Sequence, residues 1–266
     1  AILDFLEGKF KLNNLRILKQ FNGCCFADLD LKQQGVIEDF QLLFYIIQPP
    51  TPERVKYDIF DRVNRGGTPL NKQEMRNALY RGRCTRMLDK LCCSPEFLIA
   101  TGRSINKERM KDQYVVLRAM AFLMLHRGEF KDIPALQYRG DIDDFLARFM
   151  VYVNDNAPEK LIVDYENLFI RCMQISYDLL GENGFRFSGN GIRRPINMPL
   201  FEALSYLFSF VPEKIDYTWA SRLILDIESV KEEFDDSRYF SGNIDSTTSV
   251  SFRFDRMDKI INRIQL

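Results

Sequence analysis

One histidine, His126, and one tryptophan, Trp219, stand in a chain of 266 residues. With so little imidazole, a zinc site would have to be nearly all thiolate. The six cysteines fall as Cys24–Cys25, Cys84, Cys92–Cys93 and Cys172, at no ligand spacing, so no metal is expected. Adjacent cysteines are poor disulfide partners and a chain of this length needs no staples; reduced thiols and a cytoplasmic setting are expected. Long apolar runs are missing as well. The longest, Val115 to Leu125, is interrupted by Arg118 and falls far short of the ~20 residues that cross a bilayer, so no membrane partner is expected. No basic start with an apolar run and a small-residue cleavage site marks a signal peptide. An excess of either charge is absent: Lys+Arg and Asp+Glu both number 37. Balance of that kind argues against strong non-specific attraction to nucleic acid, which depends on neutralising phosphates, and leaves that role to a local basic patch. Phosphate-loop, zinc-protease and nucleophile-elbow patterns are all absent, and a single histidine can hardly support an HNH-type nuclease. A nuclease that works with this chain is expected on another subunit or domain. The chain opens on Ala1, inside what reads as a helix, as expected of a fragment.

What is present is enough apolar residue (46%, against 28% charged) to bury one large core or two modest ones. Residues 1–10 read as the end of a helix stopped by Gly8. Phe10, Leu12, Leu15 and Ile17 alternate around Asn13–Asn14 as in a hairpin, and Asn22-Gly23 is a second turn signal. Leu29 to Gly35 reads as loop. Phe40 to Ile47, FQLLFYII, has the length and composition of a buried strand and ends at Pro49–Pro50. From Pro52 onward the pattern is helical almost throughout. Helices are expected over Lys107 to His126, Asp141 to Val153, Tyr165 to Leu180 and Met198 to Val211, and along the stripe Trp219, Leu223, Ile227, Val230, Phe234. Val250, Phe254, Met257, Ile261 and Ile264 are spaced 4, 3, 4, 3, the mark of a final amphipathic helix. His126, at a helix end before Gly128, is read as structural, its proton suiting the helix dipole.

The most specific stretch is Phe60 to Gly82, FDRVNRGGTPLNKQEMRNALYRG. Val55, Ile59 and Val63 recur every fourth residue and mark a face expected to be buried, with Arg62 on its flank. Gly66 and Gly67 end that helix. Asn71 and Glu74 have the spacing of a capping box, Leu70 and Met75 that of a hydrophobic staple, and Gly82 stops the second helix. One reading of the stretch is a well-made helix–turn–helix connection. The other is an anion site, where Arg62, Asn64, Arg65, two bare glycine N–H groups and a helix N-terminus converge.

The string F-x-R-x-N-x-G-G-T-P-L-N-x-Q-E-x-R-N-A-L-x-x-G, carried here by Phe60, Arg62, Asn64, Gly66, Gly67, Thr68, Pro69, Leu70, Asn71, Gln73, Glu74, Arg76, Asn77 and Gly82, resembles a family hallmark. It is that of the ParB/sulfiredoxin-like domain at the N-terminus of GmrSD-type, modification-dependent restriction enzymes. The family's other hallmark, a DGQQR segment, is not present, although Ala1 to Phe10 resembles the short helix found just after that segment. Asp112 and Arg118 match a further D-x-x-x-x-L-R pattern, and Gly181, Phe185 and Arg186 a G-x-x-x-F-R pattern within the glycine- and arginine-rich loop that ends at Arg194.

The resemblance implies an α+β, mostly α chain: the remnant of a ParB/sulfiredoxin-like α/β domain over residues 1–82, then a larger all-helical domain over 83–266. It implies a phage-defence component that binds and hydrolyses a nucleoside triphosphate, with Mg as companion ion, coupled to recognition of DNA. A homo-oligomer and a nuclease partner fit the same picture. In that reading Arg62, Asn64, Arg65, Gly66, Gly67, Thr68 and Arg76 bind the nucleotide, and Arg118, Arg186 and Arg194 contact ligand or partner. The alternatives are a non-catalytic DNA- or protein-binding module and, last, a sulfiredoxin-like redox enzyme.

Overall fold

The computed structural model describes residues 2–44, 46, 48, 55, 59, 62, 69–187, 193–212, 214, 216–240 and 242–264. Contacts divide the chain into two units, Ala1–Pro52 and Glu53–Leu266. The chain is mostly helical, and no strand forms among the described residues.

In the first unit, helix α1 (Ile2–Leu6) places Phe5 against Phe10 and Phe26, with ring centroids 5.6 and 5.9 Å apart. The expected turn at Asn13–Asn14 is there: Asn14 is left-handed, with φ of 59°. Leu12 donates its N–H to Cys24 O at 2.9 Å, and the Asn22 side chain accepts from Leu15 N–H at 2.8 Å. That closure brings the two arms together without making strands of them. Helix α2 (Leu31–Glu38) occupies much of the stretch expected to be loop. Its start is an Asp30/Gln33 capping box, in which Asp30 Oδ1 accepts from Gln33 N–H at 2.8 Å and Gln33 returns the bond at 3.1 Å. The expected buried strand does not form in the described part of Phe40 to Ile47. Phe40, Leu43, Phe44 and Ile46 are 68–80% exposed. An apolar run becomes a core strand only where neighbours supply both a ladder and a covering layer, and no strand among the described residues offers one.

The second unit is built on two helices that are apolar on nearly every side. In α6 (Lys111–His126) every residue from Val115 to Met124 is buried, and in α9 (Met198–Phe208) every residue from Pro199 to Phe208. Such helices belong in the middle of a bundle. They pack on one another, and α11 (Thr247–Ile264) covers α9 through the face read from its 4, 3, 4, 3 spacing: Val250, Phe254, Met257 and Ile261 are all buried. Helix α8 (Glu159–Leu180) lies along α5 (Pro95–Ala100), and α10 (Tyr217–Asp235) packs on α11. Helix α7 (Ile142–Asp155) starts where its acidic first turn announces it, with Asp141 Oδ1 accepting from Asp143 N–H at 3.0 Å. Val55 and Ile59, expected to face inward, are helical but 42% and 40% exposed.

Helix α3 (Lys72–Leu79) lies before residue 82, where the domain boundary is expected, yet belongs to this second unit and packs on α6. Helix α4 (Arg83–Cys92) follows it after a three-residue corner at Tyr80–Gly82. Asn154 of α7 clamps that corner: its side chain accepts from Cys84 N–H at 2.9 Å and donates to Tyr80 O at 2.9 Å. Gly82 is needed there for proximity. A Cβ would lie 2.6 Å from Asn154 Oδ1. Gly82→Ala is therefore expected to cost about 1–3 kcal/mol by forcing the amide out of its clamp and leaving buried groups unpaired. Urea unfolding of Gly82→Ala, Asn154→Ala and the double variant checks this; strictly additive losses would show that the two residues do not act together.

Candidate functional site

The polar residues of the Phe60–Gly82 stretch that the structure describes are mostly engaged with the protein itself. Asn71 Oδ1 accepts from Gln73 and Glu74 N–H at 2.8 and 2.9 Å, and Asn71 N–H donates to Glu74 Oε2 at 2.6 Å, so the capping box is complete. Leu70 is half-buried and Met75 buried, as the staple requires. Gln73 donates to Asn77 Oδ1 at 2.8 Å, Asn77 to Gln113 of α6, and Gln113 to Asp89 of α4 at 2.7 Å. That relay holds three helices in register.

Arg76 is different. It is 1% exposed, lies with its guanidinium 5.3 Å from the Tyr114 ring centroid, donates Nη1 to Asp143 at 2.7 Å and Nε to Gln73 Oε1 at 3.1 Å. Its Nη2 is buried and has no hydrogen-bond partner. Asp143 also takes Lys72. Burial opposes the Asp143 charge, but the bonds from Lys72 and Arg76 outweigh it and hold the carboxyl below the usual range.

Arg76 lines a hollow of about 250 Å³ together with Lys72, Arg109, Met110, Lys111 and Tyr114. The far wall comes from the link into α6. There Arg109 and Met110 both adopt left-handed backbone, with φ of 56° and 58°. Two consecutive non-glycine residues in that region are costly, at roughly 1–2 kcal/mol each. Polar contacts hold the link: Asn71 Nδ2 donates to Arg109 O at 2.6 Å, and Arg109 Nη2 donates to Pro69 O at 2.6 Å and Glu74 Oε2 at 3.0 Å. The Arg109 bond, then the Asn71 N–H, keep the Glu74 carboxyl below its usual range. The first turn of α6 begins at this wall with no side chain capping it. Four basic side chains thus border the hollow, which is lined mostly by apolar surface, and two carboxylates pair with three of them: Asp143 with Lys72 and Arg76, Glu74 with Arg109. Sequence reasoning found Arg76 but not Lys72, Arg109, Lys111 or Tyr114. The signal was the basic run Lys107 to Lys111 ahead of a long apolar helix, which tertiary contact with Asn71 turns into a wall.

The other arginines are placed elsewhere. Arg118, 1% exposed, bonds Glu202 of α9, Asp245 at 2.6 Å and Tyr114 at 3.1 Å. Burial works against its charge, and the carboxylates, Glu202 foremost, more than offset that. Arg186 is buried and donates to the carbonyls of Glu182 and Thr101 at 3.2 Å each, to Arg194 O and to Ser104, which ties the end of α5 to the loop after α8. Arg194 pairs with Asp235 and lies over Phe187, 5.4 Å from the ring centroid. Arg62 is helical and exposed. Asn64, Arg65, Gly66, Gly67 and Thr68 lie outside the described residues.

Burial pushes the Cys172 thiol up to about 12 and shifts Cys84 and Cys92 upward as well, which makes all three poor nucleophiles. Among the described residues no group of three or more His, Cys, Asp or Glu side chains could hold a metal ion, and no helix is long and apolar enough to cross a membrane. No family model matches this sequence, and no curated protein and no solved structure resembles it at a significant level.

Proposed function

We propose that this chain is a component of a GmrSD-like DNA restriction and phage-defence system, binding and hydrolysing a nucleoside triphosphate in step with DNA recognition. The observation that carries the reading is the buried guanidinium of Arg76, a residue of the Phe60–Gly82 stretch, whose Nη2 has no hydrogen-bond partner. A guanidinium is expensive to bury with an open donor, and an anionic ligand is the usual remedy. The Phe60–Gly82 resemblance supplies the identity of that anion. Arg62 and Arg65 would neutralise phosphate charge, Gly66 and Gly67 would let the backbone approach, and Asn64 and Thr68 would orient the ligand. Magnesium would travel with the nucleotide. Glu74, engaged as a cap and by Arg109, is a positioning residue and not a base.

A binding module without turnover is the second reading. It is favoured by the engagement of Glu74, Gln73 and Asn77 in helix contacts, which leaves none of these three free to act as a base. Thermal-shift titration with GTP and ATP, each with Mg, and with duplex DNA separates the two. A nucleotide is expected to raise the melting temperature by several degrees at saturating concentration. A shift with DNA but with neither nucleotide would overturn nucleotide binding and leave the module.

A further inference from the structure

We propose that residues 243–245 are a latch, held on the central helices by charge and hydrogen bonds in place of apolar burial, which lifts as a unit while those helices stay folded. The segment follows the short helical turn Arg238–Phe240 and leads into α11. No residue from 242 to 246 is buried, and the one large apolar side chain there, Ile244, is only half-buried. What holds the segment comes from beneath. Arg118 of α6 grips the Asp245 carboxylate with both ends of its fork, Nη2 at 2.6 Å and Nη1 at 3.3 Å. Arg253 of α11 donates Nη1 to Ile244 O at 2.6 Å, Tyr138 donates its hydroxyl to Asp245 O, and Ser249 donates to Asn243 O at 2.9 Å. Three successive carbonyls and one carboxylate thus turn inward onto side chains of which Arg118, Arg253 and Ser249 are buried.

Charge explains why the carboxylate matters. Glu202 pairs with both Arg118 and Arg253, which leaves one positive charge beneath the segment, and Asp245 cancels it. The side chains of Arg118, Arg253 and Glu202 are at most 1% exposed, whereas that of Asp245 is 26% exposed. The Arg118–Asp245 pair is therefore the easiest of the three to part, because its carboxylate regains full hydration on leaving. Both ends of the segment permit movement. Gly242 has φ of 73°, and a Cβ there would have nothing within 4 Å, so the hinge stands in open space. At the other end α11 starts on its own bonds: Ser246 Oγ accepts from Ser249 N–H at 3.1 Å, and Ser246 O from Val250 N–H at 3.0 Å. Lifting the latch therefore leaves α11 wound. It bares Arg118 Nη2, Arg253 Nη1 and the Tyr138 hydroxyl, so one short loop decides whether these donors face their own chain or the solvent.

Labelling of the whole chain with the arginine reagent phenylglyoxal, read residue by residue by mass spectrometry, tests this. Arg118 and Arg253 lie under the latch; Arg76, 1% exposed and paired with Asp143, lies outside it and reports on opening of the core. Wild type is compared with Asp245→Asn, which keeps the shape and removes the charge, and with Tyr138→Phe, which removes one hydroxyl. In Asp245→Asn, Arg118 and Arg253 are expected to label about tenfold faster or more, the loss of a charge-assisted pair, with Arg76 unchanged. Tyr138→Phe should give a smaller increase at the same two residues. Unchanged labelling of Arg118 and Arg253 in Asp245→Asn overturns the latch. So does a rise shared equally by Arg76, because the segment then opens only with the whole core. Should Asp245→Asn fail to fold, Tyr138→Phe decides between the same outcomes.

Discussion

Glu202→Ala is expected to cost about 3–5 kcal/mol of folding stability, the range for removing one partner of a buried ion pair. Glu202 is 0% exposed and takes two guanidiniums at once: Arg118, and Arg253 Nη2 at 3.0 Å. Arg253 is itself 0% exposed, with Nη1 on Ile244 O at 2.6 Å and its Nε unpartnered. Burial pulls the Arg253 pKa down more than Glu202 restores it. Without Glu202, Asp245 alone would face two buried positive charges. The damage would spread, because Glu202 joins the three helices at the centre of the bundle: Arg118 on α6, Glu202 on α9, Arg253 on α11. Urea denaturation measures it. A loss below about 1 kcal/mol would mean the network is not dry and contributes no more than a surface pair. Glu202→Gln keeps one acceptor and the volume, and should fall between wild type and Ala.

The second large effect is one of pH. His126 is held well below its ordinary pKa of 6.5, at about 3, first by burial and then by the positive charge of Arg253. Its ring stacks on Phe254 with centroids 3.5 Å apart and touches Phe122 and Tyr206, and its Nε2 has no partner. The expectation of a protonated imidazole answering the helix dipole is thereby overturned: exclusion of water outweighs the dipole. A base with a depressed native pKa stays neutral when folded and protonates when unfolded. Its contribution is complete above pH 6.5 and is lost as the pH falls from there towards 3, because the unfolded chain then binds a proton the native chain refuses. Well inside that window the slope approaches about 1.4 kcal/mol per pH unit. His126→Phe keeps the aromatic stack and removes the titration. Wild type minus variant isolates the imidazole, since the carboxylates titrate in both. Parallel stability profiles between pH 7 and pH 4 would refute the assignment.

Local chemistry was legible in the sequence wherever a short pattern acts within its own neighbourhood. Asn71 and Glu74 cap α3, Asp141 opens α7, and the period of Val250 to Ile261 marks the inner face of α11, because capping and amphipathicity are settled within one or two turns. The same logic would have revealed α2, since Asp30 and Gln33 carry a capping signature that the surrounding polar residues disguised as loop. Patterns that need a distant partner misled. Phe40 to Ile47 has the composition of a core strand, but composition cannot supply a neighbouring ladder.

The candidate site divides along the same line. Arg76 was visible as a charged residue in a specific motif, and Arg118 and Arg186 were equally visible in theirs. Nothing in the chain order distinguishes these three. By itself the sequence determined that the chain is mostly helical, which faces of its later helices turn inward, and that several arginines would need partners, because burying an unpaired guanidinium is costly wherever it occurs. Only the tertiary structure decided which arginine finds carboxylates, which finds carbonyls and which keeps an open donor beside a hollow. Glu202 lies 84 residues from Arg118, and Arg109 lies 38 from Asn71. Such separations are set by how helices stack, which depends on the shape and packing of the whole core and not on any local run of residues.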